Sequence, residues 1–194
     1  MRKIFLVIVL FGCAGGPAPP DWQLNAAGSL ENFQNHYLSG DAKLAEQEFA
    51  LAKSEIARTG RGDLLARAEL VRCAVRAASL EFDACPGFEA LRADAGPEEI
   101  TYADVLAGKR EHAAGEDPLS GLVSFGVQFR TGKITPAGIN AAIDVSSAQG
   151  WRRPLLAWLG VQAKRAESAG DAQAAARIKR RIDLILRAEV ERAR

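Results

Sequence analysis

The sequence predicts an all-α domain built as a compact array of antiparallel helix hairpins. Beyond Pro20, no segment sustains the alternation of apolar and polar residues that is typical of a strand. Alanine is abundant, and Gly, Asp and Pro separate the periodic segments. Connectors this short place successive helices antiparallel. The predicted helices cover residues 22–38, 42–58, 63–81, 88–94, 98–112, 118–130, 136–149, 153–169 and 172–192.

Residues 1–12 have the composition of a bacterial export signal. Residues 1–3 carry positive charge, residues 4–11 are an uninterrupted apolar run, and small residues follow. An apolar run of this length is too short to cross a bilayer as a helix. Leu10-Phe11-Gly12-Cys13 resembles the lipobox of bacterial lipoproteins, with Phe11 at a position where that family usually has a small residue.

The lipoprotein resemblance implies that Cys13 receives diacylglycerol and becomes the first residue after cleavage. Ala14 stands where an Asp would signal inner-membrane retention in enterobacteria, so the resemblance favours the outer membrane. Residues 13–20 then form the lipidated cysteine and a flexible Gly/Pro tether. Residues 21–194 form a single all-helical periplasmic domain. The alternatives are an ordinary cleaved signal with a chance cysteine, or an uncleaved anchor.

Acylation of Cys13 would leave Cys73 and Cys85 as a pair in an oxidising compartment. In one straight helix these two residues would lie about 18 Å apart, whereas a disulfide requires Cα atoms within about 7 Å. A disulfide therefore predicts that the helix ends between Leu80 and Cys85 and that the chain reverses. The alternative is two buried thiols. No CxxC pair or neighbouring histidine indicates a metal site.

Five side chains are placed to cap the starts of helices. A capping side chain accepts a hydrogen bond from a free N–H group in the first turn. Pro118 and Pro136 follow two of the candidates, which suits the first helical position. The predicted N-caps are Asp41, Asp63, Asp117, Thr135 and Asp171.

Two hairpins resemble part of the tetratricopeptide repeat. In the first, Gly40-Asp41 forms the turn, and Ala45, Phe49 and Ala52 occupy the small–aromatic–small positions of the second repeat helix. In the second, Gly170-Asp171 precedes Ala175, and Lys179 stands in place of the large apolar residue. The resemblance implies a repeat-like helical fold with a concave surface suited to holding a peptide.

The sequence lacks a recognisable catalytic or cofactor-binding motif. The glycines of residues 126–133 have the wrong spacing for a phosphate loop, and His36 and His112 are far apart. We therefore expect no catalytic residue, no cofactor, no metal and no enzyme activity.

The net charge of +1 gives no reason to expect a nucleic-acid partner. The densest positive stretch is interspersed with acids, and we expect Glu69 to pair with Arg72 or Arg76. A solvated helical face is therefore the expected structure for this row of arginines, and a nucleic-acid or lipid-headgroup patch is the alternative. The row comprises Arg58, Arg61, Arg67, Arg72 and Arg76.

Trp151 and Trp158 share one side of a helix. Such residues are usually core anchors, and a partner-binding site is the alternative.

Residues 118–130 are apolar nearly all round, which predicts a central helix in which Gly121 and Gly126 permit close helix approach or a kink.

Together these features predict a lipid-anchored periplasmic adaptor or scaffold protein of the bacterial envelope. It would bind the membrane through acylated Cys13 and would also bind an envelope protein. One alternative is a binder or sensor of an apolar small ligand between helices, which needs an enclosed cavity around Phe125 and Phe129. The other is a cell-wall hydrolase, which needs a carboxylate in an apolar cleft.

Overall fold

The computed structural model of the protein describes residues 18–111 and 117–192, with side chains as far as residue 188. Within those ranges the chain is helical, with no strand, which confirms the all-α prediction. The helices are α1 (Asp21–Ser39), α2 (Ala42–Ala57), α3 (Gly62–Ala78), α4 (Pro86–Glu89), α5 (Pro97–Leu106), α6 (Pro118–Arg130), α7 (Pro136–Ala148), α8 (Arg152–Ser168) and α9 (Ala172–Arg192). None of these described helices combines the length and the apolar character that crossing a membrane requires. Cys13 and His112 lie outside the described residues.

Four of the five predicted N-caps are present. The side chains of Asp41 and Asp117 accept hydrogen bonds from the backbone N–H groups three residues later, at 3.1 and 2.9 Å. Thr135 and Asp171 do the same at 3.0 and 2.8 Å. These bonds satisfy donors that the first turn of each helix would otherwise leave unpaired. The starts of α2, α6, α7 and α9 are therefore encoded locally.

The prediction that Asp63 caps a helix is wrong. Helix α3 begins at Gly62, so Asp63 lies inside its first turn and the capping position belongs to Arg61. The Asp63 carboxylate instead accepts hydrogen bonds from the Arg61 guanidinium at 2.8 and 2.6 Å. This ion pair lowers the pKa of Asp63 to about 2.

Three helices end three or more residues earlier than predicted, and the other boundaries agree to within two residues. Helix α3 ends at Ala78, earlier than expected, because Leu80 adopts the left-handed conformation with φ of 61°. Helix α4 covers Pro86–Glu89 rather than 88–94, since Pro86 suits the first helical position. Helix α5 ends at Leu106 rather than at 112, just before Gly108, whose φ of 76° is left-handed.

A disulfide joins Cys73 to Cys85, as predicted. Cys73 lies in the last part of α3, and Cys85 stands directly before α4. The chain reverses after Ala78, so the two Cα atoms come within 5.9 Å. The disulfide holds the segment between α3 and α4 against α3.

The core consists of two clusters that share α3. One cluster joins α1 and α2 to α3 and includes Phe33, Phe49 and Val75. The larger cluster joins α3 to the helices that follow it and includes Trp158. Helix α3 therefore has apolar side chains on two faces, and the fold is organised around it.

The first hairpin packs as its small–aromatic–small pattern requires. Ala45, Phe49 and Ala52 are all buried, and the Phe49 ring centroid lies 4.8 Å from that of Phe33 on α1. The two small residues allow α1 and α2 to approach, and Phe49 fills the space between them. Membership of the tetratricopeptide repeats stays a prediction.

Helix α6 meets α3 at a point where only glycine fits. A Cβ atom at position 126 would overlap the backbone carbonyl of Ala77. Next to it, the Trp158 indole N–H donates to the Ala78 carbonyl at 3.1 Å. The end of α3 is therefore the docking point for both α6 and α8.

We expect Gly126→Ala to lower the free energy of unfolding by about 1–3 kcal/mol, because the added methyl group must displace the α3 backbone. The matched control is Gly121→Ala in the same helix, where a Cβ would meet no atom within 4 Å. The control should gain about 0.5–1 kcal/mol, the cost of glycine in a helix. Urea unfolding followed by circular dichroism measures both, and equal effects would contradict the close contact.

We expect the double variant Cys73→Ser/Cys85→Ser to lower the free energy of unfolding by about 3 kcal/mol, the loop-closure entropy of so short a loop. The same urea experiment measures the loss. Adding a reductant should destabilise the native chain by a similar amount and leave the variant unchanged. A variant as stable as the native chain would show that the cross-link is dispensable.

Candidate binding groove

The row of arginines is neutralised by carboxylates. Each of the five forms an ion pair within the described structure, so no open cationic patch remains there. Glu69 pairs with neither Arg72 nor Arg76, which corrects the expectation. The pairs are Arg58 with Glu55, Arg61 with Asp63, Arg67 with Glu99, Arg72 with Glu46 and Arg76 with Asp83.

Glu69 is buried, with 4% of its surface exposed, and its carboxylate lies 2.5 Å from the Nζ atom of Lys53 on α2. Local helical spacing suggested the wrong partner because Lys53 is distant in sequence and arrives only when α2 packs on α3. A Cβ at Gly87 would overlap the same carboxylate, so α4 also closes over it. Glu69 therefore links three helices.

The two tryptophans occupy different environments. Trp158 is fully buried, and Phe129 contacts it edge-on with ring centroids 5.9 Å apart. Trp158 is therefore a core anchor, which is the role that its spacing favoured. Trp151 is partly buried and packs against both core clusters. A partner-binding role for Trp151 stays a prediction.

An apolar groove of about 910 Å³ opens on the surface formed by the last four helices. Its walls come from the end of α6, the first half of α7, the second half of α8 and the start of α9. Helices α7 and α9 both pack on α8. Its large apolar side chains are Phe129, Ile134, Ile139, Val161 and Ile178.

Local sequence signals position these walls. The cap at Thr135 starts α7 directly after Ile134, and Gly170, with φ of 75°, turns the chain so that α9 returns along α8. Ile178, Ile182 and Ile185 recur on one side of α9 and pack against the core. Hydrogen bonds also tie α7 to its neighbours. The Gln162 amide donates to Asn140 at 2.8 Å, and Arg181 donates to the Ser147 hydroxyl at 3.2 Å.

The groove carries positive charge. Of the described residues that line it, only Lys164 and Arg165 are charged. Both are exposed, and no carboxylate of the described side chains forms an ion pair with either. An apolar floor beside two unneutralised cations can hold a ligand that is apolar on one side and anionic on the other.

A second pocket of about 290 Å³ lies between α1, α3, α5 and α6. Leu70, Val71 and Val123 line it, and the Tyr102 ring stands at its edge. Burial, with the nearby Asp117 carboxylate as a lesser cause, raises the pKa of Tyr102 to about 12. The pocket is large enough for a small apolar molecule.

Two carboxylates line the Tyr102 pocket: Glu98 is exposed to solvent, and Glu99 is ion-paired. The Arg67 guanidinium donates to Glu99 at 2.9 and 2.5 Å beside the Tyr102 pocket, and this bond lowers the pKa of Glu99. A general acid near neutral pH needs the opposite shift. Glu69, the buried carboxylate, is paired with Lys53. Among the described residues, no group of three or more His, Cys, Asp or Glu side chains is arranged to hold a metal ion.

No family model, curated protein or solved structure matches this chain. The resemblances to lipoproteins and to tetratricopeptide repeats therefore rest on the residues that carry them.

The groove itself was not predicted from the sequence. The expected cavity was enclosed and centred on Phe125 and Phe129, whereas Phe129 lines an open groove and Phe125 is partly buried in the core. One signal was present in the sequence. Residues 152–188 contain nine basic and three acidic side chains and therefore carry a net charge of +6. Residues 18–151 contain 12 basic and 19 acidic side chains and carry a net charge of −7.

We expect the tyrosinate absorbance of the folded chain to appear only above about pH 11, whereas unfolded tyrosine titrates near pH 10. The chain has two tyrosines, and burial is the main cause that raises both pKa values. Because the folded phenols keep protons that the unfolded chain has released, the free energy of unfolding falls as the pH rises above about 10. Spectrophotometric titration measures this shift, and Tyr102→Phe should halve its amplitude. Phenols that ionise near pH 10 in the folded chain would contradict the burial.

Proposed function

We propose that the chain is a lipid-anchored periplasmic adaptor of the bacterial envelope, which holds a segment of an envelope protein and catalyses no reaction itself. The observation that carries this proposal is the apolar groove between α6, α7, α8 and α9. It is large, open and lined by Phe129, Val161 and Ile178. An exposed apolar surface of this kind usually marks a site of interaction.

The membrane attachment in this proposal rests on Cys13 and on the composition of the residues after it. Acyl chains on Cys13 would hold the protein in the outer membrane, since each buried methylene contributes about 0.8 kcal/mol. The seven residues 14–20 are Gly, Ala and Pro, and seven extended residues reach at most about 25 Å. The groove would therefore work close to the bilayer surface. The Cys73–Cys85 disulfide is consistent with an oxidising compartment.

A second candidate function is the binding of an apolar small ligand. The observation that favours it is the pocket of about 290 Å³ beside Tyr102, which is smaller and more sheltered than the groove. An adaptor remains the better-supported function because the groove is larger and more open than the pocket, which suits a chain segment rather than only a small molecule.

Site-specific photocrosslinking in the native host tests the adaptor function. A photoreactive residue is placed at Val161, in the groove, with Cys13 intact. We expect a crosslink to one envelope protein, and we expect Cys13→Ser to weaken it by releasing the chain from the membrane. The matched control is Leu51 on α2, an apolar residue that is 55% exposed and remote from the groove.

The outcomes separate the two candidates. A protein product at position 161 that is absent at position 51 supports the adaptor. The same products at both positions, or none at 161, would overturn it. A small apolar molecule that stays bound to the purified chain in native mass spectrometry, without any protein crosslink, would favour the second candidate.

A further inference from the structure

We propose that the groove binds an amphipathic helix whose polar face is acidic. This inference rests on the proposed function, because it names the kind of segment that the adaptor would hold. It depends on three properties of the groove: the absence of a strand edge beside it, the length of its floor and the charge at its rim.

The described part of the chain contains no strand that could pair with an extended peptide. The walls of the groove are helices, whose backbone groups already bond to one another. A segment that buries its own backbone against such walls must satisfy its N–H and C=O groups internally. An amphipathic helix does so and presents one apolar face to an apolar groove.

The floor of the groove is short. It follows α8 from Val161 to Ser168, which spans about 10 Å at 1.5 Å per residue. That length matches about two helical turns. The bound helix would therefore place three or four apolar side chains, spaced i, i+3 or i+4, and i+7, over the partly exposed Val161, Ile134 and Ile178.

The rim determines the sign of the charge on the partner. Lys164 and Arg165 line the groove, both are exposed, and neither has an ion-pair partner among the described side chains. The arginines along α3 differ, since each has a carboxylate within reach. Carboxylates on an incoming helix would supply the missing partners at the rim.

The surroundings of the rim reinforce this preference. Glu167 is the carboxylate nearest to Lys164 and Arg165 along α8, and it pairs with Lys179 of α9 at 2.6 Å. With a net charge of +6 over residues 152–188, the α8–α9 hairpin attracts acidic segments and repels basic ones over about a Debye length.

An anionic membrane surface is a different partner for the same positive charge, and the shape of the site argues against it. A bilayer would more readily meet a protruding apolar side chain such as Leu184 on α9, which is 69% exposed. Lys164 and Arg165 instead border a concave groove. The experiment nevertheless includes vesicles, so that a membrane partner would be detected.

The test uses two labelled peptides of about 18 residues, long enough to form helices in isolation. They share one apolar face and differ in having Glu or Lys on the polar face. Fluorescence anisotropy measures their binding to the chain carrying Cys13→Ser, so that no acyl chain competes for the groove. We expect the Glu peptide to bind and the Lys peptide to bind at least about tenfold more weakly.

Charge reversal locates the binding site. Lys164→Glu/Arg165→Glu should raise the Kd of the Glu peptide roughly tenfold, and added salt should do likewise. The matched control is Lys43→Glu/Arg58→Glu, which changes the net charge equally at exposed positions on and after α2. The control should leave the Kd almost unchanged. All four positions are exposed, and circular dichroism verifies that both variants fold.

Three results would overturn the inference. The first is equal binding of the two peptides, and the second is equal loss of binding in the two double variants. The third is displacement of the Glu peptide by phosphatidylglycerol vesicles but not by phosphatidylcholine vesicles, which would assign the cations to a membrane. If the Glu and Lys peptides bind equally but a protein still crosslinks at position 161, the inference of an acidic helix fails and the adaptor function stands. The failure of the inference is therefore distinguishable from the failure of the proposed function.

Discussion

The fold depends on the close approach of α6 and α8 to the last turn of α3. Gly126 allows the α6 backbone to rest against the Ala77 carbonyl, and the Trp158 indole caps the Ala78 carbonyl at 3.1 Å. The last carbonyl groups of a helix have no partner within that helix. Trp158 therefore supplies the partner of the Ala78 carbonyl, whereas the Ala77 carbonyl accepts from the Leu80 N–H at 3.1 Å and Gly126 only leaves room beside it.

The contact at the end of α3 determines which part of α8 remains available for binding. In the first half of α8, Arg153 bonds to the Tyr37 carbonyl at 2.8 Å and to Glu81 at 3.2 Å, and Trp158 enters the core. The second half begins at Val161, beyond these anchors, and forms the floor of the groove. The first half of α8 thus anchors the helix to the core, and its second half lines the groove. Helix α9 packs chiefly on α8.

Local signals in the sequence were enough to predict most helices, and they failed where distant segments meet. The caps at Asp41, Asp117, Thr135 and Asp171 act within one turn, so the sequence around each of them contains the whole interaction. The Lys53–Glu69 pair joins different helices, and no local pattern specifies it. The glycines of α6 predicted a close helix approach, which Gly126 makes, but the sequence did not identify Ala77 as the residue that it meets. The groove also depends on contacts between distant segments, because its walls come from four helices. Only the Cys73–Cys85 pair was predicted across a chain reversal, since bond geometry limits how far apart the two residues can lie.

In the described part of the chain, the arginines along α3 are ion-paired, whereas Lys164 and Arg165 at the groove are not. Exposed ion pairs add little to stability, typically less than about 1 kcal/mol each. The carboxylates around α3 therefore act mainly by cancelling charge at long range. Among the described side chains no carboxylate pairs with Lys164 or Arg165, although residues 18–151 carry a net charge of −7. The positive rim contributes little to folding, since Lys164 and Arg165 remain exposed to solvent, whereas the apolar side chains of the floor also pack against the core. Its physical effect is on what approaches the groove, which is the reason for proposing a role of the rim in recognition.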